Sequence, residues 1–281
     1  MNAEKTNYDL LYNPRLTVSG YEQVFERWER DSERARAHVD CYLDVPYGAA
    51  DTETLDLFRA KGRSRGLLMF IHGGYWRSLD KKRFSFVAPP LVEAGVTVAV
   101  VNYALCPAVS VADIVMQMVQ ASAWLYRNGA NFGAPAAKLG VFGHSAGGHL
   151  AAMMLACDWP RYSRDLPRKV VSGALSISGL YDLTEIAKVP SINGDVRLTE
   201  KAAVKVSPAF LPPATDAPFT TAVGAEENEG FHIQNRVVAK NWASVHRADI
   251  SCAGKNHFTV LDDLGDPRSR LFKSVLGLTE L

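Results

Sequence analysis

The sequence predicts an α/β fold with a mostly parallel central sheet flanked by helices, and two observations carry that prediction. After Arg65 the chain alternates short, continuously apolar runs with longer stretches of helix formers. Runs apolar at consecutive positions belong to strands covered on both faces, the condition of a parallel sheet with a helical layer on each side. The second observation is bulk: 281 residues, 47% of them hydrophobic, can bury one large core, so a single domain over 1–281 is expected.

The elements follow in order. Residues 19–38 are rich in helix formers, with Tyr21, Val24, Phe25 and Trp28 at offsets of three or four. That spacing predicts an amphipathic helix, an N-terminal extension lying on the body of the protein. Two extended segments come next, 41–48 and 52–60; in the second, Asp56 alternates with Leu55 and Leu57 in the manner of a half-buried strand. The apolar strand runs are 66–71, 96–103, 138–143, 170–178 and 219–223, and the helix candidates are 82–94, 110–129, 146–157 and 231–243. Residues 184–216 break the rhythm, with Pro190, Pro208, Pro212 and Pro213 among short helical patterns. They are expected to form an irregular, cap-like excursion above the sheet and one wall of a pocket, because an open parallel sheet carries its site at the carboxyl ends of its strands.

Composition narrows the function. Lys plus Arg number 31 and Asp plus Glu 30, a net charge of +1 that supplies no field for nucleic acid or an anionic membrane, so the expected partner is a small molecule. The N-terminus MNAEKTNYDLLYNP lacks the basic and apolar regions of a leader, and no apolar stretch is long enough to cross a bilayer. A cytoplasmic protein is the expectation. Cys41, Cys106, Cys157 and Cys252 are scattered and show no metal or redox spacing. No metal-binding motif or cofactor loop is present, and no cofactor is expected.

The sharpest local signal is Gly143-His144-Ser145-Ala146-Gly147, which follows the apolar run KLGVF and precedes the helical AGGHLAAMMLA. A serine in that context sits on a strained strand-to-helix elbow, the nucleophile position of α/β hydrolases, and Ala146 offers its N–H to a developing oxyanion. His72-Gly73-Gly74-Tyr75-Trp76 follows another apolar strand. Consecutive glycines there let the backbone approach a substrate, so Gly73 and Gly74 join Ala146 as oxyanion-hole candidates. His72 is read as a structural ring that fixes the loop, while Tyr75 and Trp76 either pack or line a substrate pocket.

The order serine, acid, histidine of this architecture asks for a late histidine. His257 stands in a polar loop before the last helical stretch, whereas His232 and His246 fall within or at the end of a helix. His257 is therefore the expected base. The acid follows a late strand: Glu227 and Glu226 follow the run 219–223, and Asp182 follows the preceding one, where it can also cap a helix. Asp262 and Asp263 read as solvated helix-start residues, and His149 as packing on the nucleophile's helix. Together these residues predict two-step acyl transfer. Ester, amide and thioester substrates all satisfy them.

The segments HGGYWR, GHSAGGHLAA, SGLYDL, VGAEENEGFHIQ and GKNHFTVLDDL resemble the kynurenine formamidase group, in the HGG-bearing, hormone-sensitive-lipase-like branch of the α/β hydrolases. The resemblance spans nearly the whole chain. It implies hydrolysis of a small aryl formamide, N-formyl-L-kynurenine, and it selects Glu227 as the acid through the family pattern G-x-x-E-x-x-E-F-x-x-Q matched from Gly224. Phe231 and Gln234 match that pattern, and Gly230 replaces its second glutamate. Members of the group often form homodimers; the sequence assigns no interface. The alternatives are a carboxylesterase acting on small aryl or short-acyl esters, an amidase or carbamate hydrolase of the same machinery, and a non-catalytic binding module. The last would show damage at the nucleophile, base or oxyanion glycines, and all are present.

Overall fold

The computed structural model describes residues 6–135 and 139–281; the first five residues and Lys138, the expected start of the third strand run, lie outside them. Among the described residues one eight-stranded sheet runs through the molecule in the order β1-β2-β4-β3-β5-β6-β7-β8. The strands are β1 (Cys41–Pro46), β2 (Thr54–Phe58), β3 (Leu67–Ile71), β4 (Thr97–Val101), β5 (Leu139–His144), β6 (Val171–Ile177), β7 (Phe219–Gly224) and β8 (His246–Cys252). β2 pairs antiparallel with β1 and β4, and β4, β3, β5, β6, β7 and β8 pair in parallel. The parallel part is the one expected from the apolar runs.

Helices cover both faces. After a short α1 (Tyr8–Tyr12), α2 (Tyr21–His38) and α3 (Ala88–Glu93) lie over one face, and α4 (Val111–Asn128) and α5 (Ala146–Leu155) over the other. α4 begins at a capping box in which Ser110 and Asp113 satisfy each other's backbone N–H groups. The chain continues through α6 (Trp159–Tyr162), α7 (Leu183–Ile186), α8 (Pro190–Val196), α9 (Glu200–Lys205), α10 (Glu229–Asn241) and α11 (Arg270–Gly277). The pleat of β3 divides the core. Leu67, Met69 and Ile71 join Met118, Leu150 and Val238, while Leu68 and Phe70 join Trp28, Leu91 and Leu271.

Two expectations change. Asp56 is buried rather than half-exposed, at 1%, because β2 is not an edge strand: β1 and β4 flank it and both its faces are covered. The cost of that buried carboxylate is offset by Lys81, itself 2% exposed, whose ammonium donates to Asp56 and, at 2.7 Å, to Asp44. The excursion 184–216 resolves into α7, α8, α9 and a turn of 3₁₀ helix at Pro208–Phe210. It packs against the N-terminal segment, where Asn13 donates to Ser191 at 3.0 Å, and it contributes no residue to the lining of the cleft that holds Ser145.

Candidate active site

Ser145 lies on the turn between β5 and α5 with φ 57° and ψ −119°. A non-glycine residue held there is strained, and its neighbours fix it: its N–H donates to the Ile177 carbonyl at 2.8 Å. The flanking glycines are dictated by space. A Cβ on Gly143 would stand 2.2 Å from the Gly147 carbonyl oxygen, and one on Gly147 would stand 1.9 Å from that of Ile71. Both distances lie far inside van der Waals contact, so any side chain would force the elbow apart. Ala146 opens α5, and its N–H is among those without an intrahelical acceptor.

His257 follows β8, on a loop that closes over the sheet end. Its Nδ1 lies 2.6 Å from Glu227 Oε2. The other carboxylate oxygen of Glu227 accepts from the Ser178 hydroxyl at 2.5 Å and from the Gly224 N–H at 2.7 Å. The structure thus brings Glu227 to His257. Glu226, next along the chain, is exposed, and Asp182 caps α7 by accepting from the Thr184 N–H at 3.0 Å. Phe231 packs its ring against His257, centroids 4.3 Å apart, and the Gln234 amide oxygen accepts from the N–H groups of Tyr181 and Asp182, both at 2.7 Å. His232 and His246 lie elsewhere, the latter 2.9 Å from Thr221 Oγ1 on the strand β7.

Gly73 rests on the elbow: a Cβ there would stand 2.9 Å from the His144 carbonyl oxygen and 3.1 Å from Ser145 Cβ. Gly73, Gly74, Ser145 and His257 line one cleft of about 480 Å³, part of it open to solvent. Its walls are aromatic, formed by Phe25, Trp28, Tyr75, Phe84 and Phe258. The loop behind Gly73 is tied down by His72, whose ring donates through Nδ1 to the Gly73 carbonyl at 2.7 Å and stacks on Tyr103 at 4.2 Å. Burial pushes the His72 imidazole down to about 4, so the ring is neutral and plays the structural part expected of it.

Two neighbouring aromatics divide in role. Tyr75 lines the cleft and its hydroxyl donates to the Tyr12 carbonyl. Trp76, for which the sequence leaves packing and pocket lining both open, is wholly buried and absent from the lining, its indole N–H donating to His149 Nδ1 at 3.2 Å. His149 is a packing residue, donating in turn through Nε2 to the Val206 carbonyl at 2.7 Å. Trp76 therefore ties the glycine loop to α5.

The sequence reading missed several contributors. Ser178 holds the acid from the end of β6 at a positive φ of 52°, and lies in the SGLYDL segment already singled out. His144 donates through Nε2 to the His257 carbonyl at 2.8 Å, fixing the loop of the base to the elbow itself. Burial, with His257 beside it, pushes the His144 imidazole well below its usual range. Asn13, Pro14 and Arg15 reach the cleft from the N-terminal segment, for which no local pattern gave a signal.

A serine on a strained elbow above a parallel sheet, sharing a cleft with glycine backbone and a carboxylate-oriented imidazole, has the parts needed to attack a carbonyl and exchange protons with a leaving group. Among known proteins that arrangement belongs to the α/β hydrolases, and the protein is a hydrolase of that class. The BD-FAE family model matches residues 55–208. Kynurenine formamidase of Danio rerio is 33% identical over 258 residues, covering 88% of this chain and 85% of the relative, and that of Salmo salar is 31% identical over 257 residues with the same coverage. A crystal structure from Silicibacter sp. TM1040, provisionally described as a thioesterase, superposes with a TM-score of 0.85 at 30% identity, covering 99% of this chain and 100% of that one. The chain belongs to the kynurenine formamidase family.

Proposed function

We propose that the protein hydrolyses N-formyl-L-kynurenine to L-kynurenine and formate through a formyl-enzyme on Ser145. The observation that carries the reading is the His257–Glu227 pair at 2.6 Å, on the same cleft as Ser145 in a chain of this family. Ser145 Oγ attacks the formyl carbon as His257 Nε2 takes its proton. The N–H groups of Gly73, Gly74 and Ala146 are the donors proposed for the oxyanion. The C–N bond then breaks with the proton passing from His257 to the aryl nitrogen. Water, deprotonated by His257, attacks the formyl-enzyme and releases formate. Glu227 holds the imidazole with its Nδ1 proton toward the carboxylate, leaving Nε2 free to accept.

The aromatic walls, including Tyr75, are proposed to receive the aryl ring of the substrate. Formyl is the smallest acyl group, which suits a serine packed as tightly as Ser145, 2% exposed beneath Gly73. A cytoplasmic location accords with four cysteines that are all unpaired thiols. No helix among the described residues is long and apolar enough to cross a membrane.

The test is kcat/KM for N-formyl-L-kynurenine beside a small aryl acetate, in the wild type and in Ser145→Ala. The proposal expects a preference for the formamide that the substitution abolishes. Slow formamide turnover beside rapid ester cleavage assigns the same machinery to the esterase alternative.

A further inference from the structure

Every charged side chain on the cleft wall is cationic. Arg15 and Arg77 line it, and no Asp or Glu does among the described residues. The two arginines differ in their partners. Arg77 is held by Asp195 at 2.5 Å, and nearby Arg83 by Glu29 at 2.9 Å. Arg15 has no carboxylate partner among the described residues; its guanidinium lies 3.5 Å from the Ser78 hydroxyl and 5.5 Å from the centroid of the Phe25 ring. It is solvent-exposed at the edge of the cleft, with its five donors almost unused.

The segment that carries Arg15 is fixed rather than trailing. Asn228, adjacent to Glu227, donates to the Leu10 carbonyl at 2.6 Å, and its amide oxygen accepts from Thr17 at 3.0 Å. Tyr75 donates to the Tyr12 carbonyl, and the Arg15 N–H donates to Asn13 Oδ1 at 3.2 Å. The segment on either side of Arg15 is thus bound to the loops that bear the proposed oxyanion glycines and acid. An unpaired guanidinium carried on a fixed segment beside aromatic walls is suited to a ligand that has a flat ring and an anionic arm, because the planar fork matches a carboxylate in two parallel hydrogen bonds.

We propose that Arg15 is a specificity residue that receives a carboxylate of the substrate at the mouth of the cleft. The identity of the substrate rests on the formamidase reading; the charge preference does not. The bare alternative is a solvated arginine resting on Phe25, which makes no distinction between charged and neutral substrates.

The experiment measures kcat/KM for two matched pairs in the wild type, Arg15→Gln and Arg15→Lys. One pair is N-formyl-L-kynurenine and 2-formamidoacetophenone, the same aryl formamide without its amino-acid arm. The other is a phenyl acetate with and without a ring carboxylate. The proposal expects the wild type to favour the carboxylate member, and Arg15→Gln to shrink that preference about tenfold, chiefly through KM, as befits a charge-assisted contact weakened by solvent. Arg15→Lys retains part of it. A ratio unchanged in Arg15→Gln, or equal losses on charged and neutral members, overturns the proposal. If neither formamide is turned over but the ester pair shows the Arg15-dependent preference, the substrate reading fails and this one stands.

Discussion

Glu227 illustrates how one side chain is assigned its part by its neighbours. Its three donors, Ser178, the Gly224 N–H and His257, fix both oxygens, so its orientation toward the imidazole is built into the ends of β6 and β7. Glu227→Gln preserves shape but places an amide against Nδ1, which favours the tautomer with the proton on Nε2. The expected result is a fall in kcat of about 10³–10⁴-fold with an unchanged circular-dichroism spectrum; a loss under tenfold contradicts the role. The sequence points to Ser145 and His257 as the proposed nucleophile and base because motif, chain order and loop position converge on them. The choice of Glu227 over Glu226 was not legible from the residues alone, since adjacent positions in a turn face different ways and no periodicity says which is inward. Tyr75 and Trp76 pose the same problem. One reaches the cleft, the other His149, and both are apolar enough for either place.

Among the elements, the N-terminal segment departs most from expectation. The helix expected over 19–38 forms as α2, yet the same stretch also supplies Phe25 and Trp28 to the cleft, and the turn before it supplies Asn13 to Arg15. The wall expected from 184–216 comes from this segment instead. Prolines revealed that 184–216 is irregular; where an irregular segment docks depends on long-range packing that carries no local signature. Gly230 shows that packing. A Cβ on it would stand 2.4 Å from the Leu11 carbonyl oxygen and 2.7 Å from Tyr12 Cε1, so its departure from the family glutamate makes room for α1 against α10. Replacing a helical glycine by alanine gains up to about 1 kcal/mol in propensity, but forcing backbone apart costs about 1–3 kcal/mol. Gly230→Ala is accordingly expected to lower stability in urea titrations and to reduce kcat/KM by displacing the Asn13–Arg15 wall. A neutral or stabilising change contradicts that account.

For the molecule as a whole, the parallel sheet was legible because apolar runs covered on both faces leave a plain pattern, whereas the burial of Asp56 was not, because its partner Lys81 is distant in sequence. Stability against acid follows from three buried imidazoles. Burial pushes His72 and His149 down to about 4 and His144 well below its usual value. In the unfolded chain these rings take up protons as pH falls through about 6.5, while in the folded chain His72 and His149 stay neutral to about pH 4 and buried His144 resists protonation in the same direction. Unfolding therefore takes up protons below about pH 6.5, and stability is full above that pH and declines toward pH 4 by roughly 1.4 kcal/mol per pH unit for each of His72 and His149. Urea titrations across that window are expected to show the decline, and His149→Gln to flatten it by one ring's share; an unaltered slope contradicts the assignment. The central claim is that acyl transfer runs through Ser145, and it is tested most directly by labelling with a fluorophosphonate probe, with and without N-formyl-L-kynurenine, followed by peptide mass mapping. The account predicts one label per chain, on Ser145, formed in step with loss of activity and slowed by the formamide. A label on another residue, or activity that survives full labelling of Ser145, would contradict it.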